Sequence, residues 1–230
     1  MNEPTVYIVD DDPDMRDSLG WLLETVGLRA LAYASAEEFA RDYREDGPAC
    51  LVLDVRMPGW SGLDLFEDLR AEGSSMPVLF ITAHADVPMA VRAMKSGAAE
   101  FLEKPFNGQV LLEKIQRALR ESAARLERRA ARECLRARFD SLTDKEREVL
   151  ALVRAGMPNK EIAARLDLTP RAVEMRRSGM MRKLGADSLP ELLRIALTFE
   201  ETTDLVAPSE RPEDAPGRAA DAARNPRGDA

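Results

Sequence analysis

TVYIVDDD, residues 5–12, sets five β-branched or aromatic residues in a row and closes them with three consecutive carboxylates. A run that short, without polar alternation, reads as a strand buried on both faces. The pattern returns in CLVLD at 50–54 and VLFIT at 78–82, with weaker runs at 28–33 and 100–102. Between the runs lie stretches of helical period. From residue 14 onward, Met15, Leu19, Leu22, Leu23 and Val26 share one face. Ser35 followed three places later by Glu38 is a capping box opening a second helix. Residues 59–71, 87–96 and 108 onward supply three more. Strands alternating with helices predict a parallel sheet covered on both sides, here the flavodoxin-like doubly wound α/β fold with five units of each kind.

In such a sheet the chemistry gathers outside the carboxyl ends of the strands. Those ends carry Asp10, Asp11 and Asp12 after the first strand, Asp54 after the third, Thr82 after the fourth and Lys104 after the fifth. Converging carboxylates repel one another unless a hard cation neutralises them. Magnesium suits the set, because it favours oxygen ligands and keeps waters that leave room for a phosphoryl group. The Thr82 hydroxyl and the Lys104 ammonium match the remaining phosphoryl oxygens. Phosphoryl transfer asks for little beyond an in-line nucleophile and neutralised charge.

The rest of the 230 residues point to a second domain of different character. The net charge of −8 divides into −9 over residues 1–120, +2 over 121–140, +2 over 141–200 and −3 over 201–230. With 45% apolar and 32% charged residues, no apolar run of membrane-spanning length and no signal-peptide pattern, a cytoplasmic protein without membrane contact is expected. Cys50 and Cys134 lie far apart, and His84 is the single histidine, which disfavours disulfide, zinc and histidine-based chemistry. Residues 111–138 hold neither Pro nor Gly and predict one long helix continuing out of the first domain. Leu119, Ala123, Leu126, Ala130 and Leu135 form a loose seam along it, compatible with a solvated spacer or a dimerising coiled coil.

Residues 141–199 read as helical throughout. Thr143 with Glu146 caps one helix, and 160–166 is a short second one. Thr169 and Pro170 then open a third at 171–184, and Ser188 with Glu191 caps the last. Two short helices joined by a tight turn between supporting helices make a helix-turn-helix. The expected boundaries are 1–120, a helical linker at 121–140, a DNA-binding unit at 141–201 and a disordered tail at 202–230, poor in large apolar residues.

VDDD at 9–12, LDVRMPGWSG at 53–62, ITAH at 81–84 and EKPF at 103–106 resemble the receiver domain of two-component response regulators. The resemblance implies that Asp54 is the phospho-acceptor and Asp11 a metal ligand, with Asp10 assisting and the Arg56 backbone carbonyl completing the Mg²⁺ shell. It further implies that Thr82 is the switch hydroxyl, Phe101 the switch aromatic, Lys104 the phosphate-contacting lysine, and the Lys104–Pro105 peptide cis. His84 falls where relatives vary, as a tuner of phosphoryl lifetime or an exposed residue. Trp60 is expected on the loop surface. Phosphorylation by a sensor histidine kinase, or by a small acyl phosphate, is then expected to produce a homodimer through Val91, Lys95 and Glu100.

LTDKEREVLALVRAGMPNKEIAARLDLTPRAVEMRRSGMMRKLGADS at 142–188 resembles the LuxR-type helix-turn-helix of the NarL/FixJ branch, and the receiver portion resembles its FixJ-type subgroup. That implies double-stranded promoter DNA as a partner and 171–184 as the recognition helix. Glu174, Met175 and Ser178 would face base edges, while Lys160, Arg171, Arg177 and Lys183 would face phosphates. Ala172 and Arg176 depart from the usual Thr and His, which implies that Arg176 offers charge where a hydroxyl is lost. The function implied is a phosphorylation-activated transcriptional regulator rather than an enzyme. Two other classes fit parts of the pattern: an aspartate-nucleophile phosphohydrolase and a protein-binding scaffold. The first needs a carboxylate two residues after the nucleophile, where Arg56 stands.

Overall fold

The structure, a computed structural model, describes residues 3–83 and 87–204. His84 and residues 205–230 of the tail lie outside them. Five strands, β1 (Thr5–Val9), β2 (Arg29–Tyr33), β3 (Ala49–Asp54), β4 (Val78–Thr82) and β5 (Glu100–Glu103), form one parallel sheet in the order β2-β1-β3-β4-β5. Helices α1 (Pro13–Glu24), α2 (Ala36–Asp42), α3 (Gly62–Ala71), α4 (Val87–Lys95) and α5 (Gly108–Asp140) connect and follow them.

Because side chains alternate along a strand, each central strand feeds two cores. Val9, Leu51, Leu53, Val78 and Phe80 pack with Phe39 of α2, Leu65, Phe66 and Leu69 of α3 and Ala93 of α4. Val6, Ile8, Cys50, Val52, Leu79 and Ile81 pack with Leu19 and Leu23 of α1 and with Leu111, Ile115 and Leu119 of α5. Burial of each Val, Leu, Ile or Phe side chain among them contributes roughly 1.5–3 kcal/mol. Phe66 and Phe80 add an edge-to-face contact at 5.3 Å. Sealing on both sides is why the central strands show apolar runs and no alternation. Cys50, with its thiol pushed up to about 12 by burial, is one of those sealed residues.

The compact unit holding the sheet extends to Glu133, past residue 120, where the five strand-helix units were expected to end. Polar contacts explain the difference. The Ser122 hydroxyl accepts from the Ala49 amide at 3.1 Å, Arg125 donates to the Ser75 carbonyl, and Arg129 pairs with Glu45 at 3.3 Å. The long helix thus stays tied to the first unit as far as Arg129.

The second unit comprises the end of α5 and helices α6 (Asp144–Arg154), α7 (Asn159–Arg165), α8 (Pro170–Leu184) and α9 (Leu189–Asp204). Its core gathers Phe139, Val149, Leu150, Val153, Ile162, Val173, Met180, Leu184 and Leu192. Phe139 and Phe199 stack at 3.9 Å. The tight turn between α7 and α8 places Asp167 at φ 52°, and Thr169 caps α8 by accepting from the Ala172 amide. Gly185, at φ 72°, ends α8 in the left-handed conformation that L side chains resist. Helix α9 continues to Asp204, three residues into the stretch expected to be disordered.

Candidate functional site

The strand order reverses between β1 and β3, and their carboxyl ends flank a crevice. Val9 pairs with Leu53, so the next residues, Asp10 and Asp54, stand side by side at one level of the sheet. Carboxylate oxygens of Asp10, Asp11 and Asp54 lie within 4.8 Å of one another. Asp10 has no exposed surface, Asp11 is exposed, and the Asp54 side chain keeps 10% of its surface open. Asp12 turns away from this group and caps α1 by accepting from the Asp14 amide.

Each buried carboxylate is held. Asp10 Oδ1 accepts from the Asp12 amide at 3.0 Å and Asp54 Oδ1 from the Arg56 amide at 3.1 Å. Their other oxygens share one cation: Lys104 Nζ lies 2.7 Å from Asp10 Oδ2 and 2.8 Å from Asp54 Oδ2. This pairing was missed in the sequence, where neutralisation fell to a metal and Lys104 was kept for the phosphoryl group. Burial pushes the Asp10 carboxyl above its usual pKa, against the pull of Lys104 and the Asp12 amide. For Lys104, burial acts downward, but the hydrogen bonds and charges of Asp10 and Asp54 prevail and raise it. The ammonium therefore stays charged between its two partners.

Thr82 follows Ile81, which pairs with Asp54, and is buried at the end of β4. Its carbonyl accepts from the Lys104 amide at 2.7 Å, anchoring the lysine, and the Lys104–Pro105 peptide is cis. Phe101 is half-buried, 6.2 Å from Phe80. The loop after Asp54 is closed by the Gly62 amide donating to the Val55 carbonyl. A Cβ at Gly62 would sit 2.0 Å from the Asp54 carbonyl oxygen, so only glycine allows this approach. Trp60, expected on the surface, is half-buried against the core.

On α4, Val91 is 44% exposed, next to exposed Val87 and Met94, and Lys95 is exposed too. Glu100 differs from expectation. It pairs with Lys114 at 2.6 Å and with Arg117, so its charge is already answered within the chain. Spacing along the chain does not reveal this pairing, since both cations lie one strand-to-helix crossover away.

The second unit presents Arg171, Glu174, Met175, Ser178 and Arg182 on the exposed face of α8, with Met175 70% exposed. Arg182 is not among the DNA contacts expected from the sequence, although the three- and four-residue spacing puts it on this face. Arg176 is half-buried, and Lys160 is exposed at the start of α7. Two expected phosphate contacts are engaged elsewhere. Arg177 donates to Asn159 Oδ1, and Lys183 Nζ binds Glu146 Oε2 at 2.6 Å and the Ser141 carbonyl at 3.1 Å. Glu146 also completes the capping box with Thr143. Burial would raise its pKa, but Lys183 and Thr143 outweigh that and hold it below the usual value. A Cβ at Gly179 would meet Glu146 Oε1 at 2.9 Å, which explains a glycine inside α8.

Comparison with known proteins agrees with both halves of this geometry. Residues 6–116 match the response regulator receiver domain, and residues 140–196 match the bacterial regulatory proteins of the luxR family. The transcriptional regulatory protein FixJ of Azorhizobium caulinodans is 44% identical over 192 residues, covering 84% of this chain and 91% of FixJ. Nodulation protein W of Bradyrhizobium diazoefficiens is 42% identical over 194 residues, covering 84% and 86%. Among solved structures, the response regulator StyR superposes with a TM-score of 0.83 at 42% identity, covering 86% of this chain and 100% of StyR.

Proposed function

The chain belongs to the two-component response regulators that join a receiver to a LuxR-type helix-turn-helix, FixJ among them, and from that premise we propose that Asp54 accepts the activating phosphoryl group. Such a protein is a phosphorylation-activated, DNA-binding transcriptional regulator. The observation that carries the assignment is the contrast between two adjacent carboxylates. Asp10 is sealed, whereas Asp54 is fixed by the Arg56 amide and Lys104 and still open to an incoming group.

An Asp54 oxygen attacks phosphorus in line. The new O–P bond forms as the donor's P–N bond (a kinase phosphohistidine) or P–O bond (an acyl phosphate) breaks, and the electron pair leaves with the donor. Lys104 then exchanges a carboxylate partner for a phosphoryl oxygen, and the Thr82 hydroxyl donates to another. Phe101 follows Thr82 inward. The hard oxygens of Asp10, Asp11 and Asp54 fit Mg²⁺, with the Arg56 carbonyl as a further ligand. When bound, the ion neutralises the charge of the phosphoryl oxygens. A phosphohydrolase is disfavoured by Arg56, which stands where that class needs its second carboxylate.

We assign reception of the phosphoryl group to residues 1–120, helical connection to 121–140 and DNA binding to 141–201, in a cytoplasmic protein served by a sensor histidine kinase. No described helix is long and apolar enough to cross a membrane. Exposed Val91 and Lys95 support a phosphorylation-dependent homodimer through α4 and β5. A two-fold dimer would set two recognition helices about one DNA turn apart. Glu174, Met175 and Ser178 read base edges, while Lys160, Arg171 and Arg176 meet phosphates. Arg177 and Lys183 join them only by releasing Asn159 and Glu146.

The test is intact-mass spectrometry after incubation with Mg²⁺ and a small acyl phosphate. One phosphoryl group is expected on the wild type and none on Asp54→Asn. Equal labelling of both would overturn the assignment.

A further inference from the structure

The loop from Val55 to Ser61 joins Asp54 to α3, and its base is closed by the Gly62 amide on the Val55 carbonyl at 3.1 Å. Met57 is buried in the core and Trp60 packs against it, which leaves Pro58 and Gly59 as the exposed crest of the arc. The crest is gripped from α2. Glu37 Oε1 accepts from the Trp60 amide at 3.2 Å, and a Cβ added to Gly59 would meet the same oxygen at 3.0 Å. Gly59 takes φ 79°, a backbone conformation that further limits the position to glycine. The carboxylate thus rests directly on the loop backbone.

Two features say that this contact is positional. The bond is exposed, so water could satisfy the Trp60 amide equally well, and no buried donor demands Glu37. The reciprocal capping bonds of α2 are made by its neighbour: Ser35 accepts from the Glu38 amide, and Glu38 Oε2 accepts from the Ala34 amide at 2.8 Å. Glu37 also bonds its own backbone amide and the Ser35 side chain, so its carboxylate links the first turn of α2 to the loop. The near end of that loop bears the Arg56 amide, 3.1 Å from Asp54 Oδ1.

We propose that Glu37 is a positioning residue for phosphorylation: by fixing Gly59 and Trp60 it keeps the Arg56 backbone set against Asp54. This rests on the reading of Asp54 as acceptor and of Arg56 as a contributor to the cation site. The acceptor oxygen of Glu37, and not its charge, is the working part. Its carboxyl sits below the usual carboxylate pKa, chiefly through its own backbone amide, which keeps that oxygen available at neutral pH.

The experiment compares wild type, Glu37→Gln and Glu37→Ala in two measurements on the full chain. Amide hydrogen exchange without Mg²⁺ reads the loop directly. Glu37→Ala should speed exchange at Trp60 about tenfold, and Glu37→Gln, which keeps an acceptor oxygen, should stay within about threefold of wild type. The Mg²⁺ concentration for half-maximal Asp54 labelling by an acyl phosphate should rise about fivefold in Glu37→Ala and less than twofold in Glu37→Gln. The melting temperature should be unchanged in both. Unaltered half-saturation in Glu37→Ala, or a Gln variant as impaired as the Ala variant, overturns the proposal. Wild type that takes up no label on Asp54 overturns instead the acceptor reading on which it rests.

Discussion

The acidic crevice and the exposed face of α8 handle charge in opposite ways. In the crevice, Asp10 and Asp54 converge on one half-buried lysine, and each carboxylate is held at both oxygens. On α8, Arg171, Glu174 and Arg182 diverge into solvent, and order comes from beneath, where Glu146 ties Lys183 to the cap of α6. Both regions use a carboxylate–lysine pair. In the first, burial pushes Asp10 up; in the second, Lys183 and Thr143 hold Glu146 down against its burial. A converging site is poised to trade one partner for another, whereas an underlying pair only fixes a helix that must remain open to a partner.

That contrast can be broken most severely at the crevice. Lys104→Met removes the shared cation and leaves two carboxylates facing each other. Without Mg²⁺ it should cost about 3 kcal/mol of stability, read by chemical denaturation, and added Mg²⁺ should restore part of it. An unchanged denaturation midpoint would show that Lys104 does not neutralise the pair.

A smaller effect is expected beneath α8. Glu146→Gln keeps the shape but loses the charge-assisted bond to Lys183, at a cost of roughly 1–3 kcal/mol. The pH dependence has a definite sign. A carboxyl whose folded pKa is depressed stabilises the fold above its unfolded value, near 4.3, and loses that contribution as pH falls through the lower folded value. Melting curves of wild type and Glu146→Gln should therefore converge on acidification below about 4 and separate at neutral pH. Parallel curves across that window would remove Glu146 from the account.

The smallest effects separate the outer face of α8 from its inner one. Arg182→Ala should reduce the salt slope of DNA binding by about one unit on specific and random duplexes alike. Lys183→Ala should leave that slope in place and lower the melting temperature. Glu174→Ala should relax discrimination at one or two base pairs by roughly 1–3 kcal/mol while leaving random binding nearly unchanged. Titrations at two salt concentrations check all three; a slope change for Lys183→Ala but none for Arg182→Ala would invert the assignment.

How much was legible follows from the same contrast. Strand ends are fixed by register, so the residues at or just past the ends of β1, β3, β4 and β5 had to meet, and Asp10, Asp54, Thr82 and Lys104 could be named from spacing. The doubly wound order was legible because sealed strands show no alternation. What escaped were pairings that depend on side-chain reach: Lys104 across two carboxylates, Glu100 with Lys114 and Arg117, and Lys183 with Glu146. A helical period says which face a residue occupies but not whether a neighbouring helix has already claimed its charge. The tie of α5 to the sheet beyond residue 120 was hidden for a related reason, since Ser122 accepts from a backbone amide 73 residues away.

The central claim is that phosphorylation of Asp54 turns the charge of the crevice into dimerisation and DNA binding. The most direct measurement is analytical sedimentation of wild type and Asp54→Asn, each with and without an acyl phosphate and Mg²⁺, alongside DNA titrations on the same samples. Treated wild type should shift from monomer to dimer at micromolar concentration and bind its promoter more tightly. Asp54→Asn should do neither. A treated Asp54→Asn protein that dimerises and binds as wild type does would contradict it.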